Sequence, residues 1–420
     1  MTSTRLLLTL TATTMSLFAC STGGSEDRDL SEIKIAASHH MFGLGGTRSI
    51  PKFPIPRTSI GTDLGIFTMS EASEYSITRT TVTSAPEGYS LTAEGELFLV
   101  VPVPRSAPTR FIGAYREAVH DKVNPSNNQA GAFFFTDRFA PTSSPSVGTF
   151  IGTDAVDDKI PDPAGDYHMF SQHVIFSKKT LPDENEVGRS VEGSLTIAAG
   201  LEGAPRAITG TGNESSGANI DFTGSATGAA DRRINITKLD YRIGAISDAR
   251  TFTCGESLDV ILGVDTQDTG GAAGFIALVR KFTTAIVDQA AGRKALAGTY
   301  YFGMHTIFVR TGASGIDAAN GTIEFTDAGG WTLTGVGSAG NNAGKFEYQG
   351  TYVFSSDGGG KFTNRMVLTV KGPPAETWTA AVDKSFGTVV IVDNDLEDRR
   401  PRLDSTELNF MIATRKLDPK

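Results

Sequence analysis

Beyond about residue 37 the chain is a succession of short apolar runs separated by clusters of Gly, Asp, Asn, Ser and Pro. Runs bounded in this way read as β-strands joined by tight turns. The pattern is clearest near the C-terminus, where strands are expected at 299–309, 321–326, 331–338, 345–355, 364–371, 376–383, 387–393 and 408–415. Apolar and polar positions alternate in Lys345-Phe-Glu-Tyr-Gln, the mark of a strand with one buried face. A helical pattern appears in one place, 283–295. Eight strands with short connections favour antiparallel meanders, because parallel neighbours need long crossovers.

The same pattern recurs along the chain. Three stretches run from Phe to Arg in six residues: Phe111 to Arg116, Phe275 to Arg280 and Phe410 to Arg415. A strongly apolar run precedes each: Gly95 to Val101, Leu258 to Val264, and Gly387 to Val392. The openings also match, in Ala37-Ser-His-His-Met-Phe-Gly43, Ala164-Gly-Asp-Tyr-His-Met-Phe170 and Ala297-Gly-Thr-Tyr-Tyr-Phe-Gly303. These markers divide the chain into a tether at 20–36, repeats at 37–117, 164–281 and 297–416, an insert or extra blade at 118–163, and a linker at 282–296 that has helical character. The expected fold is therefore all-β, built of tandem antiparallel meanders.

Two architectures satisfy the strand count. The first repeat spans only roughly eighty residues, thin for an eight-stranded barrel but adequate for two blades of about 40 residues. On that ground a β-propeller of about six to seven blades is predicted. The alternative is a row of eight-stranded barrels or sandwiches, which remove their edges by closure. Gly298-Thr-Tyr300 at the opening and Arg415 at the close resemble the first and last strands of lipocalin-like barrels, and that resemblance implies the second architecture.

Composition narrows the function. With 47 Gly, 18 Pro and 25 Phe in 420 residues, the chain has the material of sheets and turns. A net charge of −9 and the lack of any Lys/Arg stripe exclude nucleic acid as a partner. There are two cysteines, Cys20 and Cys254. Leu6 to Ala19 is uncharged and follows Arg5; fourteen helical residues would span about 21 Å, short of the ~30 Å hydrocarbon core of a bilayer. A basic start, a short apolar core and small residues after it describe a signal peptide over 1–19.

Leu17-Phe-Ala-Cys20 resembles the lipobox of bacterial lipoproteins. The resemblance implies cleavage before Cys20 and acylation of its thiol. Several acyl chains would anchor the protein durably, since each buried methylene contributes about 0.8 kcal/mol. Ser21, where an inner-membrane retention signal would place aspartate, implies delivery to the outer membrane of a Gram-negative envelope. Residues 21–32 are small, polar and acidic, as a flexible tether is.

Candidate chemistry is sparse. If the opening strands shared an axis, His40 and His168, which share a register with Tyr301, could converge on a metal. The acidic turn Asp393-Asn-Asp395-Leu-Glu-Asp398 offers hard oxygens of the kind Ca²⁺ takes, and Asp265-Thr-Gln-Asp268 occupies the same turn one repeat earlier. Asp and Asn also simply form turns well. No Gly-x-Ser-x-Gly, P-loop or His-Glu-x-x-His is present, so no catalytic residue is assigned. The expectation is a lipid-anchored envelope protein with a non-enzymatic binding or scaffold role toward a protein or glycan. The alternative is an envelope hydrolase of glycans or esters with its site on propeller loops.

Overall fold

The computed structural model describes residues 37–47, 60–79, 82–83, 87–92, 95–101, 109–116, 131–137, 146–154, 160–175, 188–214, 217–231, 233–242, 249–257, 259–266, 272–282, 286–310, 313–337, 344–356, 361–372, 376–393 and 406–417. The signal peptide, Cys20 and the tether lie outside these residues, as do Asp395 and Asp398.

The described chain is all-β and forms three antiparallel rings. The first comprises β1 (Ala37–Thr47), β2 (Ile60–Met69), β3 (Glu74–Arg79), β5 (Glu87–Leu91), β6 (Glu96–Val101), β7 (Thr109–Arg116), β8 (Ala132–Asp137) and β9 (Ser146–Asp154), with the two-residue β4 (Val82–Thr83) paired onto β3. It closes where β1 pairs with β9 and β2 with β3. The second is a closed barrel of β10 (Gly165–Ile175), β11 (Gly188–Ile197), β12 (Arg206–Glu214), β13 (Asn219–Gly228), β14 (Arg233–Arg242), β15 (Ala249–Ser257), β16 (Val260–Asp265) and β17 (Ala272–Arg280). The third is a closed barrel of β18 (Gly298–Arg310), β19 (Ala313–Phe325), β20 (Gly330–Gly337), β21 (Gly344–Ser356), β22 (Phe362–Val370), β23 (Glu376–Val382), β24 (Thr388–Asp393) and β25 (Thr406–Arg415).

The architecture is thus a row of eight-stranded barrels, and the expected propeller is wrong. A blade leaves its first and last strands apart; here they pair along their length, from Tyr167↔Arg280 to Ile175↔Ala272 in the second barrel and from Tyr300↔Arg415 to Val309↔Thr406 in the third. The first unit misled because its boundary was set two strands early. β8 and β9, within the stretch expected to be an insert or extra blade, are members of the first ring. Arg116 therefore ends the sixth ring strand, whereas Arg280 and Arg415 each end an eighth. Between the second and third barrels, α1 (Gln289–Leu296) starts late in the expected helical stretch, because Asp288 caps it by accepting from the Ala291 amide at 2.7 Å.

Each barrel has a filled interior. Phe67, Tyr75, Phe133 and Phe135 pack inside the first, Tyr167, Phe222, Ile236 and Phe252 inside the second, and Trp331, Tyr300, Phe325 and Trp378 inside the third. A fourth apolar cluster belongs to none of them. Phe42, Ala114, Phe134 and Ile151 from the first ring meet Phe170, Val260, Leu262 and Phe275 from the second and Val390, Val392, Phe410 and Ile412 from the third. These side chains point outward from their own barrels. β16 and β24 are buried at every position, because Ile261 and Ile391 face in while Val260, Leu262, Val390 and Val392 face the neighbouring barrels. Strands that are apolar without alternation are buried on both faces, and here they join the three barrels through one apolar cluster.

Call the end where each first strand begins the base. Base meets base: Asn364 donates to the Arg280 carbonyl at 3.0 Å, and the Gly131 amide donates to Ser257 Oγ at 2.7 Å. The barrels therefore stand side by side in the same sense.

Candidate functional site

The residues that mark the three matching stretches take different places in the fold. Gly165 and Gly298 open their barrels at φ of 150° and 145°, a backbone region that favours glycine. A Cβ on Gly165 would lie 2.3 Å from Arg280 Nη1. The glycine thus makes room for the terminal arginine, whose Nη1 donates to the Ala164 carbonyl at 2.7 Å and whose guanidinium covers the Tyr167 ring at 4.9 Å. Arg415 repeats this on Tyr300, donating to the carbonyls of Ala295 at 2.9 Å and Ala297 at 2.5 Å. Each arginine plugs the base of its barrel. Arg116 does something else: it is buried against Gly387 of the third barrel, where a Cβ would fall 1.8 Å from its Nη1. Burial pulls its pKa below the ordinary arginine value, opposed first by Asp383. Phe275 and Phe410 stack with centroids 5.7 Å apart across the second and third barrels, while Phe111 packs inside the first ring, edge-on to Phe135 and Phe150.

The described histidines are divided between two kinds of place. His39 and His173 lie inside barrels one and two; His40, His168 and His305 face outward into the seams. His40 and His168 are not brought together. His40 packs over Gly255 of the second barrel, and His168 Nε2 donates to Asn364 Oδ1 of the third at 3.1 Å. That tautomer follows from Asn364, whose amide nitrogen is committed to the carbonyls of Arg280 and Val382. Burial first, then Lys281, pushes the His168 pKa down to about 3; burial alone does the same to His305, which donates through Nδ1 to Gln172 Oε1 at 2.6 Å. Among the described residues no three His, Cys, Asp or Glu side chains are grouped to hold a metal.

Asp393 points into the third barrel, where its Oδ2 accepts from Asn409 at 3.1 Å and Asn409 accepts from Thr306 at 2.7 Å. The matching end of the second barrel is lined by ion pairs, Arg189–Glu214 at 2.8 Å and Arg250–Asp265 at 3.6 Å. Beside them His173 lies 3.2 Å from Ser171, with Tyr241 donating to the same hydroxyl at 3.4 Å. Burial, Arg250 and Arg189 hold His173 neutral, well below its usual pKa. Ser171 is fully buried, and the set packs the barrel end as a buried polar layer. Cys254 is buried too, its thiol driven upward by burial alone, so it packs as a small apolar group.

An open concavity lies elsewhere among the described residues, on the outer wall of the second barrel. A groove of about 550 Å³ is floored by β11, β12 and β13 and walled by Arg365 on β22 of the third barrel. Register aligns its side chains in cross-strand rows: Glu192, Asn213 and Asn219 in one, Ser194, Thr211 and Asp221 in the next. Arg365 reaches across to Glu192 at 2.7 Å and to Ser355 Oγ at 3.3 Å, pinning the wall over the floor. None of these residues was singled out from the sequence. The floor comes from three consecutive strands and Arg365 from more than 140 residues further on, and the one trace they leave is the Thr-x-Thr and Asn-x-Asp alternation of exposed polar positions.

No protein-family model matches the chain, and no curated protein matches it in sequence. Solved structures do match. One is a double mutant of the vaccine antigen transferrin-binding protein B from Haemophilus parasuis Hp5, at 8% identity over 92% of this chain and 77% of that one, with a TM-score of 0.29. A single mutant of the same antigen gives 8% identity, the same coverages and a TM-score of 0.27. An intact transferrin-binding protein B with N and C lobes gives 8% identity over 92% and 78%, with a TM-score of 0.23. At TM-scores this low the spatial arrangements do not superpose, and the function of this chain is read from its own residues.

Proposed function

We propose that the protein is a lipid-anchored component of a Gram-negative cell envelope, delivered to the outer membrane, with a non-enzymatic binding or scaffold role. The observation that carries the anchoring is Leu17-Phe-Ala-Cys20 at the end of an uncharged run, followed by a polar tether that leads to the first strand. Three barrels with packed interiors, fused through a common apolar core, make a rigid body suited to presenting outer walls and loops to a partner. The anchor is tested with Cys20→Ser in cells fed a clickable fatty acid. The native protein takes up label and partitions into detergent; the variant does neither. Label that persists on the serine variant would end the anchoring reading.

A further inference from the structure

The groove between the second and third barrels is a built polar cleft with a definable ligand chemistry. Neighbouring strands place side chains about 4.8 Å apart, and successive same-face residues about 6.8 Å apart. The two rows thus form a grid of two hydroxyls (Ser194, Thr211), two amides (Asn213, Asn219) and two carboxylates (Glu192, Asp221), with the Arg365 guanidinium at its wall. Hydroxyls and amides donate and accept; the carboxylates accept and the guanidinium donates. A surface mixed in this way complements a ligand whose groups also do both, at close and regular intervals. Sugar hydroxyls fit that description.

Other chemistries fit less well. Two carboxylates against one guanidinium leave the cleft negative, and that guanidinium is already held by Glu192 at 2.7 Å, so an anion is disfavoured. An extended peptide binds by adding a strand to a free edge, and the floor strands lie inside a closed barrel with both edges paired. An apolar ligand would find no apolar side chain to cover, because Ile220, the one such residue beside the cleft, points into the core of the second barrel.

We infer that this cleft binds a neutral oligosaccharide segment. The inference deepens the binding role proposed above by choosing glycan over protein. The Arg365–Glu192 bridge holds wall and floor in place before the ligand arrives, which lowers the ordering cost of binding. No aromatic side chain lines the described cleft, so recognition rests on hydrogen bonds without ring stacking and each site is weak. Many anchored copies along one polymer would supply the avidity.

The test uses the full chain in detergent, with saturation-transfer NMR and titration against maltopentaose and chitopentaose at millimolar concentration. Transfer to at least one sugar is expected. It should weaken about tenfold in Thr211→Val/Asn219→Ala, which removes exposed hydrogen-bonding groups without disturbing the core. Thr223→Val, on the same sheet but outside the cleft, should bind as the native chain does. No transfer to either sugar, or equal transfer in all three proteins, overturns the assignment. Transfer that survives in a Cys20→Ser protein lacking fatty-acid label would support the cleft while removing the anchor, so the two readings fail separately.

Discussion

If the barrels share one core, an outward-facing phenylalanine should matter as much as an inward one. Phe410 and Phe275 are 2% and 0% exposed, each pointing away from its own barrel, with rings stacked at 5.7 Å and 22°. Truncating a fully packed Phe to Ala removes its transfer energy and leaves a cavity, about 3–5 kcal/mol in total. Phe410→Ala should cost that much, and Phe275→Ala the same. Because the two rings face each other, the double variant should cost about 1 kcal/mol less than the sum. Independent barrels would instead make both positions surface sites, with effects within about 0.5 kcal/mol.

The assay is urea denaturation read by two probes. Trp331 and Trp378 lie 5.5 Å apart inside the third barrel, so their fluorescence reports that barrel, while far-UV circular dichroism reports all three. In the native protein the two curves should coincide, and in Phe275→Ala, a change in the second barrel, the tryptophan midpoint should move with the dichroism. The excised segment 297–420 keeps every strand of the third barrel and loses Ile286 and Leu296 from its core, but bares Val390, Val392, Phe410 and Ile412, and should associate. A tryptophan transition indifferent to Phe275→Ala, or a monomeric 297–420 with a sharp reversible melt, would refute the shared core.

Acid should probe the seam. His305 is held down to about 3 by burial, so the unfolded chain takes the proton first, and the stability present above pH 6.5 is lost as pH falls toward 3. His305→Gln removes that loss, so the gap in unfolding free energy between native and variant should shift by about 2–3 kcal/mol from pH 7 to 4.5. A gap that stays constant with pH would show His305 to be accessible to protons. Arg415→Ala deletes two hydrogen bonds to carbonyls and the cover over Tyr300, and should cost about 2–3 kcal/mol by thermal melting while leaving the fatty-acid labelling of Cys20 unchanged.

Much of the fold is legible in the residues. All eight strands expected over 299–415 are present as β18 to β25, and the matching openings at Ala37, Ala164 and Ala297 each lead into the first strand of a barrel. Local chemistry is enough for this, since strand periodicity, turn residues and a Gly-x-Tyr start act within a few positions. Periodicity did not separate barrel from blade, because both have the same period-two pattern; the pointer to the barrel was the Gly298-Thr-Tyr300 start with Arg415 at the close. The difference is whether strand one meets strand eight, a pairing across more than 100 residues such as Tyr300↔Arg415. The Phe-to-Arg ending misplaced the first unit for a similar reason: Arg116 ends a strand as Arg280 does, but the ring took β8 and β9 before closing.

The seam and the cleft belong wholly to tertiary structure. Leu258 to Val264 and Gly387 to Val392 stand out in the sequence as apolar without alternation, which signals burial on both faces but not by what. Packing supplied the partner, a neighbouring barrel. The cleft exists only because that packing brings Arg365 over Glu192. Side chains with no motif between them acquire a common purpose through the register of one sheet and the docking of another, and neither is encoded within reach of a local pattern.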